Sequence, residues 1–256
     1  MKHKYLIDRI NMEWIYQIFS ILSGKMSIEE IVEISKEEGV EFGERRDVFN
    51  RLVDLDILTK QRDKTGSYVE FTPFGESVQL LYIKNREKIP YLLHMIHVLK
   101  SFEETSPRYF TTYRFVIETI LEEKEVSSNQ YNTVVKMLEE TYSDDESITG
   151  MDNTTIGKGV VFIQEVLNES FDRLEFVDPN LFTYGLQKYI EKKTKQEMGS
   201  LLIAEKEKQE LSTLFLLDKT KIEDMINKSI RYKRAFTIRY ASRGMILQAT
   251  KNVPLQ

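Results

Sequence analysis

The chain of 256 residues contains no cysteine. That absence excludes disulfides, thiol nucleophiles and cysteine-ligated zinc or iron–sulfur centres. Histidine is nearly absent too: only His3, His94 and His97 occur, too few for histidine-rich metal or acid–base chemistry. Glycine and proline are scarce, at 11 and 5 residues, which argues against a glycine-rich sandwich or a glycine-looped cofactor fold and for helices joined by short connections. Long apolar runs are missing as well. No stretch approaches the roughly 20 uninterrupted apolar residues of a membrane helix, and Met1-Lys2-His3-Lys4-Tyr5-Leu6-Ile7-Asp8 is broken by charge before a signal core forms. Neither membrane insertion nor secretion is expected, and the expected location is the cytoplasm.

With 41% hydrophobic and 30% charged residues, the chain can bury one large core or two to three small ones. The expected class is mainly α with small β-hairpins. The overall balance of 36 basic and 41 acidic residues, net −5, conceals a segregation. From Met225 to Gln256 there are seven basic residues (Lys228, Arg231, Lys233, Arg234, Arg239, Arg243, Lys251) and no acidic one, a tail of +7 that leaves −12 on the first 224. Such asymmetry points to nucleic acid or another acidic partner.

Trp14, Ile15, Ile18, Phe19 and Leu22 recur at helical spacing. Ser27 can then cap a second helix, with Glu30 closing a capping box, that stops near Gly39. A third helix is expected over about 44–55, burying Val48, Phe49, Leu52 and Leu55 and showing Arg46, Asp47, Asn50, Arg51 and Asp54. The period then switches. Ile57-Leu58-Thr59-Lys60 and Tyr68-Val69-Glu70-Phe71 flank a polar stretch containing Gly66, a hairpin signal, and Thr72-Pro73 opens a further helix.

This order of three helices, hairpin and helix resembles the winged helix-turn-helix family over about the first 85 residues. The resemblance lies in Arg51-Leu52-Val53-Asp54-Leu55-Asp56-Ile57-Leu58, where the third helix runs into a strand, and in Phe71-Thr72-Pro73-Phe74-Gly75, where the wing closes on a helix start. It implies double-stranded DNA as partner and a third helix in the major groove. Arg45, Arg46, Asn50 and Arg51 would then face base edges and phosphates, with Arg62 and Lys64 of the wing on the backbone. Residues 1–85 nevertheless hold 12 basic against 15 acidic residues, so a protein-interaction adaptor with an acidic winged domain stays open as the alternative.

Further helices are expected at 89–104, 109–124, 128–141, 154–171 and 181–198. The run continues helically over 201–217, with Gly199-Ser200 as a break between the two, and the polar loop 143–153 is the best linker. Near the end, Asp218 or Thr220 can cap a helix that leads to two β-prone runs around Ala241-Ser242-Arg243-Gly244. The expected domains are 1–86, 87–217 and 218–256, the last a basic helix-plus-hairpin that could be half of a second winged unit, could complete the first sheet or could pair between subunits. There Arg231, Lys233, Arg234, Arg239 and Arg243 interleave with Tyr232, Phe236 and Tyr240. Cations can neutralise phosphates and aromatics can stack on bases; equally, Phe236, Ile238 and Tyr240 can be the buried face of a strand.

The remaining motifs are weak. His94 and His97 share a helix but lack the accompanying acidic residue of a metalloprotease. Gly157-Lys158-Gly159 lacks the spacing and the hydroxyl residue of a phosphate loop. Asp144-Asp145-Glu146 lacks the alternation of a calcium loop. Glu191-Lys192-Lys193 and Glu205-Lys206-Glu207-Lys208 carry residue types a metal-dependent nuclease needs, without an acidic strand before them. No catalytic residue, metal or cofactor is assigned. The expected function is DNA binding, in transcription regulation or as a DNA-processing or defence accessory, by a homodimer that matches two half-sites.

Overall fold

In a computed structural model, the structure describes residues 5, 7, 11–42, 47–123, 130–143, 148, 157–159, 161–162 and 177–255, with the backbone alone for 123, 130 and 231–233. The protein is mainly helical with two small antiparallel sheets. Its contacts divide it into two compact units, one of residues 8–91 and 256, the other of 1–7 and 92–255.

In the first unit, helix α1 (Met12–Ile21) starts where the Asn11 side chain accepts from the amides of Glu13 and Trp14, and it buries Met12, Ile15, Ile18 and Phe19. Strand β1 (Met26–Ser27) leads directly into α2 (Ile28–Glu37), whose first turn is capped by Ser27 Oγ accepting from the Glu30 amide at 3.1 Å. Helix α3 (Asp47–Asp54) is followed by β2 (Leu58–Arg62), β3 (Ser67–Phe71) and α4 (Pro73–Lys84). The strands lie in the order β1-β3-β2, with Lys60 opposite Val69 and Met26 also opposite Val69 from the other side.

The Thr72-Pro73-Phe74-Gly75 start of α4 has a steric cause. Thr72 donates its amide to the Ile57 carbonyl at 3.0 Å and caps the Gly75 amide at 2.9 Å. A Cβ at residue 75 would stand 2.0 Å from that same carbonyl oxygen, so only glycine lets the helix press this closely on the strand.

In the second unit, α5 (Ile89–Lys100, its first residues belonging to the first unit), α6 (Tyr109–Glu123) and α7 (Gln130–Thr141) are followed by α8 (Pro179–Thr194), capped by the Asp178 carboxylate. Next come β4 (Ser200–Ile203), α9 (Glu205–Phe215), α10 (Lys219–Lys233), β5 (Phe236–Ala241) and β6 (Gly244–Ala249). The helix expected from residue 201 therefore begins only at 205, and residues 200–203 form a strand. The physical reason is tertiary: Leu201 and Ile203 pair with Leu247 and Met245 of β6, and Ile203, Met245 and Leu247 are all buried. The terminal hairpin thus gains a third strand from its own unit, in the order β4-β6-β5.

Helix α8 packs tightly here. A Cβ on Gly185 would lie 2.8 Å from the Phe215 ring and 2.9 Å from the Met95 methyl. The Phe182 and Phe215 rings pack with centroids 4.2 Å apart and planes tilted by 30°. The loop 143–153 and the helix expected over 154–171 lie outside the described residues, except for Ser143, Ile148 and a few helical residues around Lys158.

Candidate nucleic-acid interface

Of the contacts expected in the first unit, Asn50, Arg62 and Lys64 are exposed and Arg51 is buried. Arg45 and Arg46 lie outside the described residues. Asn50 is exposed on α3 and accepts a hydrogen bond from Lys60 Nζ at 2.9 Å. Arg51, expected on the reading face, is instead 6% exposed, because its position falls on the side of this eight-residue helix that carries Val48 and Leu52 into the core. What α3 shows to solvent is Asp47 and Asn50, with Asp54 half-buried. Arg62 and Lys64 are exposed on the hairpin. Between them the Asp63 carboxylate turns into the loop, accepting from the Thr65 hydroxyl and amide and from the Gly66 amide. Those hydrogen bonds, the Thr65 hydroxyl first, hold its pKa below the usual carboxylate value.

The second unit brings the expected cations to one helix and one hairpin. Helix α10 is capped by Asp218, buries Ile222, Met225, Ile226 and Ser229, and exposes Lys219, Lys221 and Lys228. Arg231 and Lys233 lie in its last turn, where only the backbone is described. Arg234 ends the helix in the left-handed region at φ 50° and is exposed. In the hairpin, Arg239 points to the solvent face together with Thr237, while Phe236 is buried. Arg243 sits in the two-residue turn Ser242-Arg243 that joins Ala241 to Gly244.

Tyr240 separates the two sequence alternatives for this strand. It has the inward parity of Phe236 and Ile238, yet it is 71% exposed. It lies opposite the buried Met245 and next to Arg239 in the strand. Of the two acidic residues in the stretch 219–249, Glu223 is paired with Lys208 at 3.8 Å and Asp224 is exposed.

Several other charged residues of this unit pair with one another. Lys193 Nζ lies 2.6 Å from the buried Glu210 carboxylate, which also accepts from Tyr189 at 2.5 Å. Lys188 pairs with Glu191, Lys192 with Glu103, and Lys208 with Glu205. An open cleft of about 400 Å³ is lined by Phe102, Glu103, Glu191, Lys192, Lys195 and Glu197 among others. Arg114 Nε lies 3.7 Å from Glu118. Burial pushes the Glu118 carboxyl up to about 7, Arg114 pulling against it and Glu210 adding to the rise. Among the described residues no three histidine or carboxylate side chains come together as a metal ion would need.

His94 and His97 are fully buried in α5. His94 Nε2 lies 3.1 Å from the Thr213 carbonyl, which can only accept, so Nε2 carries the proton and Nδ1 accepts from the Tyr113 hydroxyl at 2.8 Å. His97 Nδ1 likewise donates to the Leu93 carbonyl at 2.6 Å. At Gly159, a Cβ would meet Ile7 at 3.4 Å and Val116 at 3.5 Å, the contact distance of close packing.

Among the described residues no helix is long and apolar enough to cross a membrane. No family model, no curated protein and no solved structure matches the chain.

Proposed function

We propose that this chain binds double-stranded DNA as a winged helix-turn-helix protein of the cytoplasm, acting in transcription regulation or as a DNA-processing or defence accessory. The observation that carries the reading is the exposed run of cations in the C-terminal helix and hairpin. Lys228, Arg234, Arg239 and Arg243 all face solvent in a stretch, 225–256, that has seven basic residues and no acidic one. Phosphate neutralisation supplies most non-specific affinity, and arginine also suits guanine edges. The wing cations Arg62 and Lys64 of the first unit support the same partner. A homodimer placing two such surfaces on two half-sites is part of the proposal.

A second reading is favoured by one observation in the first unit. The solvent face of α3 carries Asp47 and Asn50 while Arg51 is buried, a surface suited to a protein partner. Fluorescence anisotropy of a labelled duplex, titrated with the full chain at several salt concentrations, separates the two. Four phosphate contacts predict a slope of log K against log salt of about −3 to −4. A folded protein that fails to bind the duplex at low salt overturns the DNA reading in favour of the adaptor.

A further inference from the structure

The same succession of elements occurs twice in this chain. Residues 12–71 run α1-β1-α2-α3-β2-β3 with strand order β1-β3-β2; residues 179–249 run α8-β4-α9-α10-β5-β6 with strand order β4-β6-β5. In each, the first strand pairs antiparallel with the last, and the last pairs antiparallel with the middle one across a tight hairpin. Both first strands run straight into their second helices, Ser27 into Ile28 and Ile203 into Glu205 after one residue. By position α10 answers to α3, and the hairpin β5-β6 answers to β2-β3. Element order and strand pairing are the same in both.

Charge separates the copies. Residues 12–71 hold 8 basic and 13 acidic residues, net −5; residues 179–249 hold 14 basic and 8 acidic, net +6. The contrast sharpens in the third helix and hairpin: 4 basic against 5 acidic in 47–71, but 8 against 2 in 219–249. One of the four, Arg51, is buried. In the second copy one of the two acids, Glu223, is engaged by Lys208.

Duplex DNA carries one negative charge per ~1.7 Å of axis, so the copy whose third helix and hairpin are basic matches it and the acidic copy does not. Resting on the DNA reading above, we infer that residues 179–249 form a complete second copy of the N-terminal fold and that this copy, through α10 and the β5-β6 hairpin, makes the dominant contact with duplex DNA. Lys228 on the helix and Arg239 and Arg243 on the hairpin are the exposed cations that carry it. Tyr240, exposed between the two arginines, adds a ring that can pack on a sugar. The hairpin tip needs glycine at Gly244: its φ is +146°, and a Cβ there would stand 2.3 Å from the Ile203 carbonyl oxygen of β4.

The test compares two double variants in the full chain, Arg239→Ala/Arg243→Ala and Arg62→Ala/Lys64→Ala, by anisotropy with a fluorescein-labelled duplex over a range of salt. All four side chains are exposed, and circular dichroism checks that both variants fold. Lys228→Ala, on the helix rather than the hairpin, is measured alongside in case the hairpin pair misfolds. The expected result is that Arg239→Ala/Arg243→Ala weakens binding at least ten times more than Arg62→Ala/Lys64→Ala. It should also flatten the salt slope by about 1.8, at 0.9 per lost phosphate contact. Equal losses, a larger loss from the N-terminal pair, or no loss from the hairpin pair and Lys228→Ala together would overturn the assignment while leaving DNA binding standing. Absence of binding by the folded wild-type chain would overturn the DNA reading and this inference with it.

Discussion

The buried His94 makes the second unit acid-labile by an amount that can be worked out. Its ring is 0% exposed, and desolvation lowers its pKa from 6.5 to about 4, against the opposing hydrogen bonds to the Thr213 and Leu214 backbone. In the unfolded chain the imidazole takes up a proton near 6.5, while in the folded unit it resists until about 4. As pH falls through that window the unfolded state binds more protons, so stability is lost on acidification and is complete above about 6.5. Linkage puts the loss between pH 7 and pH 4.5 at about 2 kcal/mol. The perturbation is His94→Gln, which removes the titration and also the bonds to Tyr113 and Thr213, at a cost of about 1–3 kcal/mol at pH 7. Urea unfolding followed by circular dichroism at both pH values gives four free energies. The gap between wild type and variant should narrow by about 2 kcal/mol on going to pH 4.5. A gap that is the same at both pH values would refute the account of a neutral histidine held by burial.

Glu118 gives the opposite sign. Its carboxyl, raised from 4.5 to about 7 mainly by burial, keeps its proton in the folded unit after the unfolded chain has lost it, so stability falls as pH rises through that window. Glu118→Gln should therefore unfold at higher urea than wild type at pH 8, by about 1–2 kcal/mol after allowing for the lost attraction to Arg114, and a variant less stable at pH 8 would contradict this. At the hairpin, Gly244→Ala meets both an unfavourable φ and the Ile203 carbonyl at 2.3 Å. It should lower stability by about 1–3 kcal/mol; an unchanged melting temperature would show that the turn does not need glycine.

Much of the local structure was legible in the residues. Ser27, Thr72 and Asp218 all cap the helices that their side-chain chemistry suggests, because a cap depends on a few neighbouring backbone groups and not on the rest of the fold. The two hairpins were equally readable from Gly66 and from Ser242-Arg243-Gly244, since turn residues constrain φ locally. The charge of the last 32 residues needed only counting. Burial was harder: the alternation of α3 marks Val48 and Leu52 as core, but Arg51 carries a charge, and whether a guanidinium turns inward depends on what packs above it.

The sequence by itself determined a helical chain with two hairpins, with its positive charge gathered at one end. Tertiary structure alone decided that Leu201 to Ile203 is a strand, that the terminal hairpin is the end of a three-stranded sheet, and that the element order and strand pairing of 12–71 recur over 179–249. Four residues after Gly199 are too few for periodicity to distinguish helix from strand, and their state is set by β6, which arrives over 40 residues later and offers Met245 and Leu247 as partners.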